Sequence, residues 1–148
     1  MSVEYNKDAS ILVPRKYLDF EGFWEGADQG KLMLQKCGDC GEFRHVPKPM
    51  CPKCHSVEKE WAEVSGKGTV YSWVTYNESP HPAFKAPYSV VLVELEEGMR
   101  IVSNLVDVKP DEIEIGMPVE MITRKIRSDG DERGLLVYGY KFRPLVSV

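Results

Sequence analysis

The chain has 148 residues, 43% hydrophobic and 28% charged, with a formal net charge of −4 and a sequence pI near 5.4. That length suits one domain of common size, or two small ones sharing a core, and the composition is that of a globular protein rather than a disordered one. No run approaches the roughly 18 apolar residues of a membrane span, and the acidic balance argues against a chain built chiefly to grip phosphate backbones, although "TRKIR" (Thr123 to Arg127) is a local basic candidate.

The N-terminus "MSVEYNKDAS" lacks a basic start followed by an apolar stretch, so no secretory signal is expected and the compartment read from the sequence is cytoplasmic. Three segments follow one another: a helical segment over 1–30, a metal-binding ribbon over 31–60 and a strand-rich domain over 61–148. In the first, Pro14 is suited to open a helix. Tyr17, Phe20 and Trp24 then fall on one face, Phe23 widens it, and Gly26 or Gly30 is expected to end it. This aromatic face either packs on the rest of the chain or docks a partner.

The second segment holds every cysteine in the chain, in "CGDCGEFRHVPKPMCPKC". Two residues between the members of a pair let both sulfurs of a tight turn point at one ion, and a second pair completes a tetrahedron. Cys37, Cys40, Cys51 and Cys54 are therefore the expected ligands of a structural zinc, flanked by short strands in "KLMLQKC" and "EFRHVPK". Spacing alone does not separate zinc from iron. Four thiolates leave no open position for water or substrate, so the site is expected to hold a fold rather than to catalyse. Gly41 follows the first pair and suits the positive φ such a turn favours, whereas His55 stands at the matching place after the second. His55 is also a minor candidate to compete as a ligand, and His45 reads as a loop residue near the metal.

The third segment offers five strands: "GTVYSWVTYN", "YSVVLVEL", "MRIVSNLVDV", "PVEMITRKI" and "GLLVYGYKF". "KPDEIEIG" between the third and fourth is a turn of helix or a tight connection. This pattern predicts a small closed barrel, the oligonucleotide/oligosaccharide-binding (OB) fold. The fold class is thus mainly β with an N-terminal helix, a rubredoxin-like zinc ribbon and a five-stranded OB barrel. "NESPHPAFKAPY" is longer than a hairpin requires and stiffened by prolines; it is either a plain surface connection or a loop that brings Phe84 and Lys85 over the barrel mouth. Glu78, Ser79 and His81 within it make a poor catalytic group, since working triads assemble from distant positions. No Gly-rich phosphate loop or nucleophile elbow is present, and no self-sufficient enzyme is advertised.

The order of the parts adds to this. "FWEGADQGKLMLQKCGDCG", then "CPKC", then a five-strand barrel resembles the zinc-ribbon/OB-fold family associated with acyl-CoA thiolases and related condensing enzymes, over about Phe20 to Phe142. His55 in place of a glycine is a departure from the pattern. The resemblance implies a non-catalytic, acyl-CoA-binding accessory or scaffold protein of lipid metabolism. Such a protein partners a thiolase-like enzyme and helps hold or channel a coenzyme A thioester. In archaea, similar proteins bridge a thiolase to a hydroxymethylglutaryl-CoA synthase; in steroid-degrading bacteria, similar modules accompany enoyl-CoA hydratase or aldolase chains. On that reading Phe84 and the cations Lys85, Arg100, Lys141 and Arg143 are candidates to meet the acyl-CoA, its phosphates favouring Lys and Arg. The alternative is a nucleic-acid-binding zinc-ribbon/OB-fold module. That would need Tyr71, Trp73 and Tyr76 exposed as a stacking surface, although alternation puts Tyr71 and Trp73 on one face and Tyr76 on the other unless a bulge intervenes.

Overall fold

The computed structural model describes residues 18–80, 86–126 and 136–144, with side chains through residue 122. A 3₁₀ turn, Leu18–Phe20, leads into helix α1, Glu21–Asp28. Pro14 and Tyr17 lie outside the described residues. The buried face of α1 is Phe23, Gly26 and Ala27, with Trp24 packed at the edge of the core, rather than the expected Phe20 and Trp24 line. The reason is steric: a Cβ on Gly22 would overlap the indole of Trp61, and one on Gly26 would overlap the side chain of Met33, so the glycine side of the helix is the one that can close onto the ribbon. Gly26 therefore lies inside the helix and Gly30 ends it. Gly30 takes φ +77 and donates to Ala27 O (3.1 Å), and Lys31 donates to Gly26 O (2.8 Å), the paired bonds of a Schellman cap.

The ribbon sheet has order β2-β1-β3, from β1 (Leu32–Cys37), β2 (Phe43–Arg44) and β3 (Lys59–Val64), all antiparallel. Strand β3 was not foreseen. "KEWAEV" has a weak alternation and pairs with β1 across the whole metal loop, so nothing local marks it. By pairing, Trp61–Val64 continue the ribbon sheet past residue 60. Helix α1 packs against β1 and against β8 of the barrel.

The barrel is the expected one. Strands β4 (Lys67–Tyr76), β5 (Tyr88–Leu95), β6 (Arg100–Leu105), β7 (Pro118–Ile126) and β8 (Leu136–Pro144) close in the order β4-β5-β6-β8-β7, with a 3₁₀ turn at Pro110–Glu112 between β6 and β7. All pairings are antiparallel except the short parallel contact of β6 with β8. Val91, Val93 and Leu95 of β5 point inward with Val70, Ile101, Leu105 and Val119, and one continuous apolar cluster joins them to Leu32, Leu34 and Val64 of the ribbon and to Phe23 of α1. Burial of these aliphatic side chains is the main favourable term holding the parts together. No helix among the described residues is long and apolar enough to cross a membrane.

Candidate metal centre and its surroundings

Two matching turns build the cysteine site. After the first pair, Gly41 N donates to Cys37 O (3.1 Å) and Cys37 N to Glu42 O (2.9 Å); after the second, His55 N donates to Cys51 O (2.9 Å) and Cys51 N to Ser56 O (2.8 Å). Gly41 takes φ +74 and His55 φ +62, so the histidine adopts the left-handed conformation its position demands. The two knuckles are tied to each other by Lys53 and Glu42 (3.2 Å), by the Ser56 hydroxyl donating to Asp39, and by Gly38 N donating to Glu58 O (2.9 Å).

This brings the four Sγ atoms within 4.8 Å of one another, Cys37 and Cys51 buried, Cys40 and Cys54 exposed. Cys37 lies 3.5 Å from Cys54 and Cys40 lies 3.7 Å from Cys51. A tetrahedron with zinc–sulfur bonds of about 2.3 Å has sulfur–sulfur edges of about 3.8 Å, so the residues present fit zinc. Their acid–base balance fits it as well. The Cys40 amide, 3.5 Å from the Cys37 sulfur, holds that thiol at about 6, below its ordinary 9.0, and the Cys54 amide lowers Cys51. The second sulfurs go the other way. The Glu42 and Ser56 amides favour their thiolates, but desolvation and the adjoining sulfurs outweigh them, raising Cys40 and pushing Cys54 up to about 12. Four thiols this close do not all ionise together without a cation, and a bound dication supplies that charge. Among the described residues the metal-ligand cluster contains cysteines only, so His55 is not brought into it.

His45 is half-buried, its ring 5.3 Å from that of Phe23, and burial lowers its pKa from 6.5. Beside it lies a polar network that the sequence did not reveal. Gln35, wholly buried on β1, accepts at Oε1 from the Arg44 guanidinium and from Lys48 N (2.8 Å), while Arg44 Nη2 donates to Lys48 O (3.3 Å). These bonds fasten the loop before Cys51 to the ribbon sheet. The only sequence signal was a glutamine inside the apolar run "KLMLQKC".

Phe84, Lys85 and His81 lie outside the described residues. Arg100 opens β6, pairs with Glu94 (3.2 Å) and stands over the Tyr71 ring at 3.8 Å. Lys141 pairs in register with Asn104 and Ile122, and Arg143 with Glu120. Asn104 is four residues from Arg100 along β6, roughly 13 Å, so the strands do not bring Arg100 and Lys141 to one place. The aromatic surface is rearranged by a β-bulge: Val70 pairs with Val93 and Ser72 with Leu92, leaving Tyr71 as the extra residue. Trp73 consequently packs on the core while Tyr71 and Tyr76 are exposed. Ser79 and Glu78 follow β4, with His81 of that trio beyond the described residues.

Two family models match the chain in succession: the rubredoxin-like zinc ribbon domain of ChsH2 over residues 24–60 and the C-terminal OB-fold domain of ChsH2 over residues 61–124. The chain is 52% identical over 98 residues to a probable enoyl-CoA hydratase alpha subunit of Thermomonospora curvata, covering 66% of this chain but 31% of that protein's length. It is 43% identical over 116 residues to a DUF35 domain-containing scaffold protein of Methanocaldococcus jannaschii, covering 77% of this chain and 82% of the relative. Benzoylsuccinyl-CoA thiolase subunit BbsA of Thauera aromatica is 29% identical over 110 residues, 74% of each chain. Among solved structures, that of an Ltp2-ChsH2(DUF35) aldolase superposes with a TM-score of 0.77 at 42% identity, covering 90% of this chain and 99% of the matched one. A four-cysteine ribbon leading into an OB barrel, matched at these identities over most of its length, makes this chain a member of the DUF35 family of ChsH2-type zinc-ribbon/OB-fold proteins.

Proposed function

We infer that this chain is a non-catalytic accessory subunit or scaffold that partners an acyl-CoA enzyme of the thiolase-like or hydratase kind and helps hold or pass on a coenzyme A thioester. The observation that carries the reading is the closure of the cysteine site: the one group of potential metal ligands among the described residues is four sulfurs within 4.8 Å of one another, which would leave a bound ion no open position. Bound zinc there would supply the ribbon's cross-link; the chain's own amides and the Lys53–Glu42 pair orient the sulfurs around it. Relatives named as a scaffold protein, as hydratase and thiolase subunits and as part of an aldolase support an accessory role beside acyl-CoA chemistry. On this reading the chain works in the cytoplasm. The thioester's phosphates are met by cations drawn from Lys85, Arg100, Lys141 and Arg143, and its acyl or pantetheine portion by Phe84.

The test is affinity capture from the native cell extract in moderate salt, with the retained proteins identified by mass spectrometry and the purified pair assayed with acyl-CoA substrates. Stoichiometric retention of an acyl-CoA enzyme is expected, along with no turnover by this chain alone. Retention of nucleic acid instead, lost steeply as salt rises, overturns the reading in favour of a nucleic-acid module.

A further inference from the structure

Strand β5, "YSVVLVEL", is apolar on both faces, the pattern of a strand covered on both sides. Its inward residues Ser89, Val91, Val93 and Leu95 are buried in the barrel, but its outward residues have no covering layer among the described residues. The register shows what surrounds them. Leu92 lies between Ser72 and Val102, Val90 between Val74 and Asn104, and Tyr88 beside Tyr76, whose ring it stacks on at 5.1 Å. Val102 is 66% exposed and Val74 50%. Lone exposed aliphatic residues need no explanation, but adjoining ones on one sheet face mark an interaction site.

We propose that this outer face of β4, β5 and β6 is where the acyl-CoA enzyme subunit docks, an inference that rests on the function proposed above. Its charge selects the occupant. The rows carry a single ion pair, Glu94 with Arg100, compensated in place and capped by Tyr71. Among the described residues these rows offer no uncompensated cation to draw a nucleic acid, so the cover is a largely uncharged protein surface. Three strands about 4.8 Å apart and seven residues at about 3.4 Å each make a face of roughly 300 Å². A stable interface takes about 800 Å² per partner. This face is therefore too small to hold any partner alone, and it has the size of the apolar centre of a larger contact, ringed by polar groups such as Arg100, Glu94 and Asn104.

The experiment uses full-length chain and the purified enzyme subunit retained in the capture above. Binding is measured by calorimetry for wild type, for Val102→Glu and Val74→Lys on the face, and for Ile115→Glu, which alters an equally exposed aliphatic residue (66%) outside these strands. Both face variants should weaken binding at least tenfold with zinc content and melting temperature unchanged, while Ile115→Glu binds as wild type does. Equal affinity of the face variants overturns the placement and leaves the accessory role standing. Failure of the wild type to bind any acyl-CoA enzyme removes the accessory role itself. A concentration-dependent wild-type dimer, abolished by the same two substitutions, overturns the choice of partner in favour of a second copy.

Discussion

Gly22 of α1 lies against the indole of Trp61 on β3, so closely that a Cβ on Gly22 would stand 2.3 Å from Trp61 Cε2. The helix is thereby keyed to the ribbon by a missing side chain, and the half-buried Trp61 becomes part of the core edge. Gly22→Ala should raise helix propensity by about 1 kcal/mol yet lower net stability, because an overlap this deep with a ring costs up to about 3 kcal/mol. A lower urea midpoint with an unchanged slope, together with altered tryptophan emission, is the expected result. A more stable variant would show that helix and ribbon are not locked at this contact.

The left-handed residues after the two cysteine pairs give an internal comparison. A Cβ on Gly41 would meet only Lys36 Cε, at 3.8 Å, which is ordinary contact, so the loss in Gly41→Ala is conformational and should be about 1 kcal/mol. His55 already bears that strain at φ +62. His55→Gly should therefore gain roughly 0.5–1 kcal/mol and hold zinc at least as tightly as wild type. Zinc affinity by chelator competition and melting temperature decide it. Weaker zinc binding by His55→Gly would mean that the imidazole contributes something the backbone does not.

If the metal is the ribbon's cross-link, its removal should be felt as unfolding and not as loss of a catalytic step. One zinc per chain is expected by metal analysis. A strong chelator, or Cys40→Ala, should free the β1–β3 sheet and expose Trp24 and Trp61, seen as a red shift in emission and new protease sensitivity. A chain that keeps its melting temperature after complete zinc loss would contradict a structural site.

Most of this architecture could be read from residue order because its determinants are local. Cys37, Cys40, Cys51 and Cys54 carry their own turn chemistry, and β5 and β7 begin and end where the apolar run "YSVVLVEL" and the alternating "PVEMITRKI" do. What escaped was decided by distant partners. The buried helix face depends on Met33 and Trp61 closing onto Gly26 and Gly22, and neither neighbour is visible in helical periodicity. Strand β3 exists because β1 pairs with it, and the Gln35–Arg44–Lys48 network needs three separate backbone positions to coincide. The Tyr71 bulge reversed the facing of Trp73 and Tyr76, which alternation cannot foresee without the partner strand. Nothing local singles out the cationic ligand candidates either, since a surface Lys or Arg looks the same in sequence whether it meets a phosphate or water.

His45 provides a pH-dependent test of packing beneath α1. Its ring lies against Phe23, tilted 32° to it, and burial lowers its pKa below 6.5. The unfolded chain takes up a proton near that ordinary value, whereas the folded chain resists until the pH is lower. Between the two values the unfolded state binds more protons, so stability rises with pH. The contribution is fully present above about pH 6.5 and is lost as pH falls through the folded-state value. His45→Phe keeps an aromatic ring on Phe23 and removes the titration. Urea midpoints at about pH 7.5 and about pH 5.5 should thus fall further for wild type than for His45→Phe. Free zinc must be followed in the same samples, because protonation of the cysteines also destabilises the ribbon in acid. Equal losses in both proteins would assign the acid sensitivity to the metal site and leave His45 with a packing role alone.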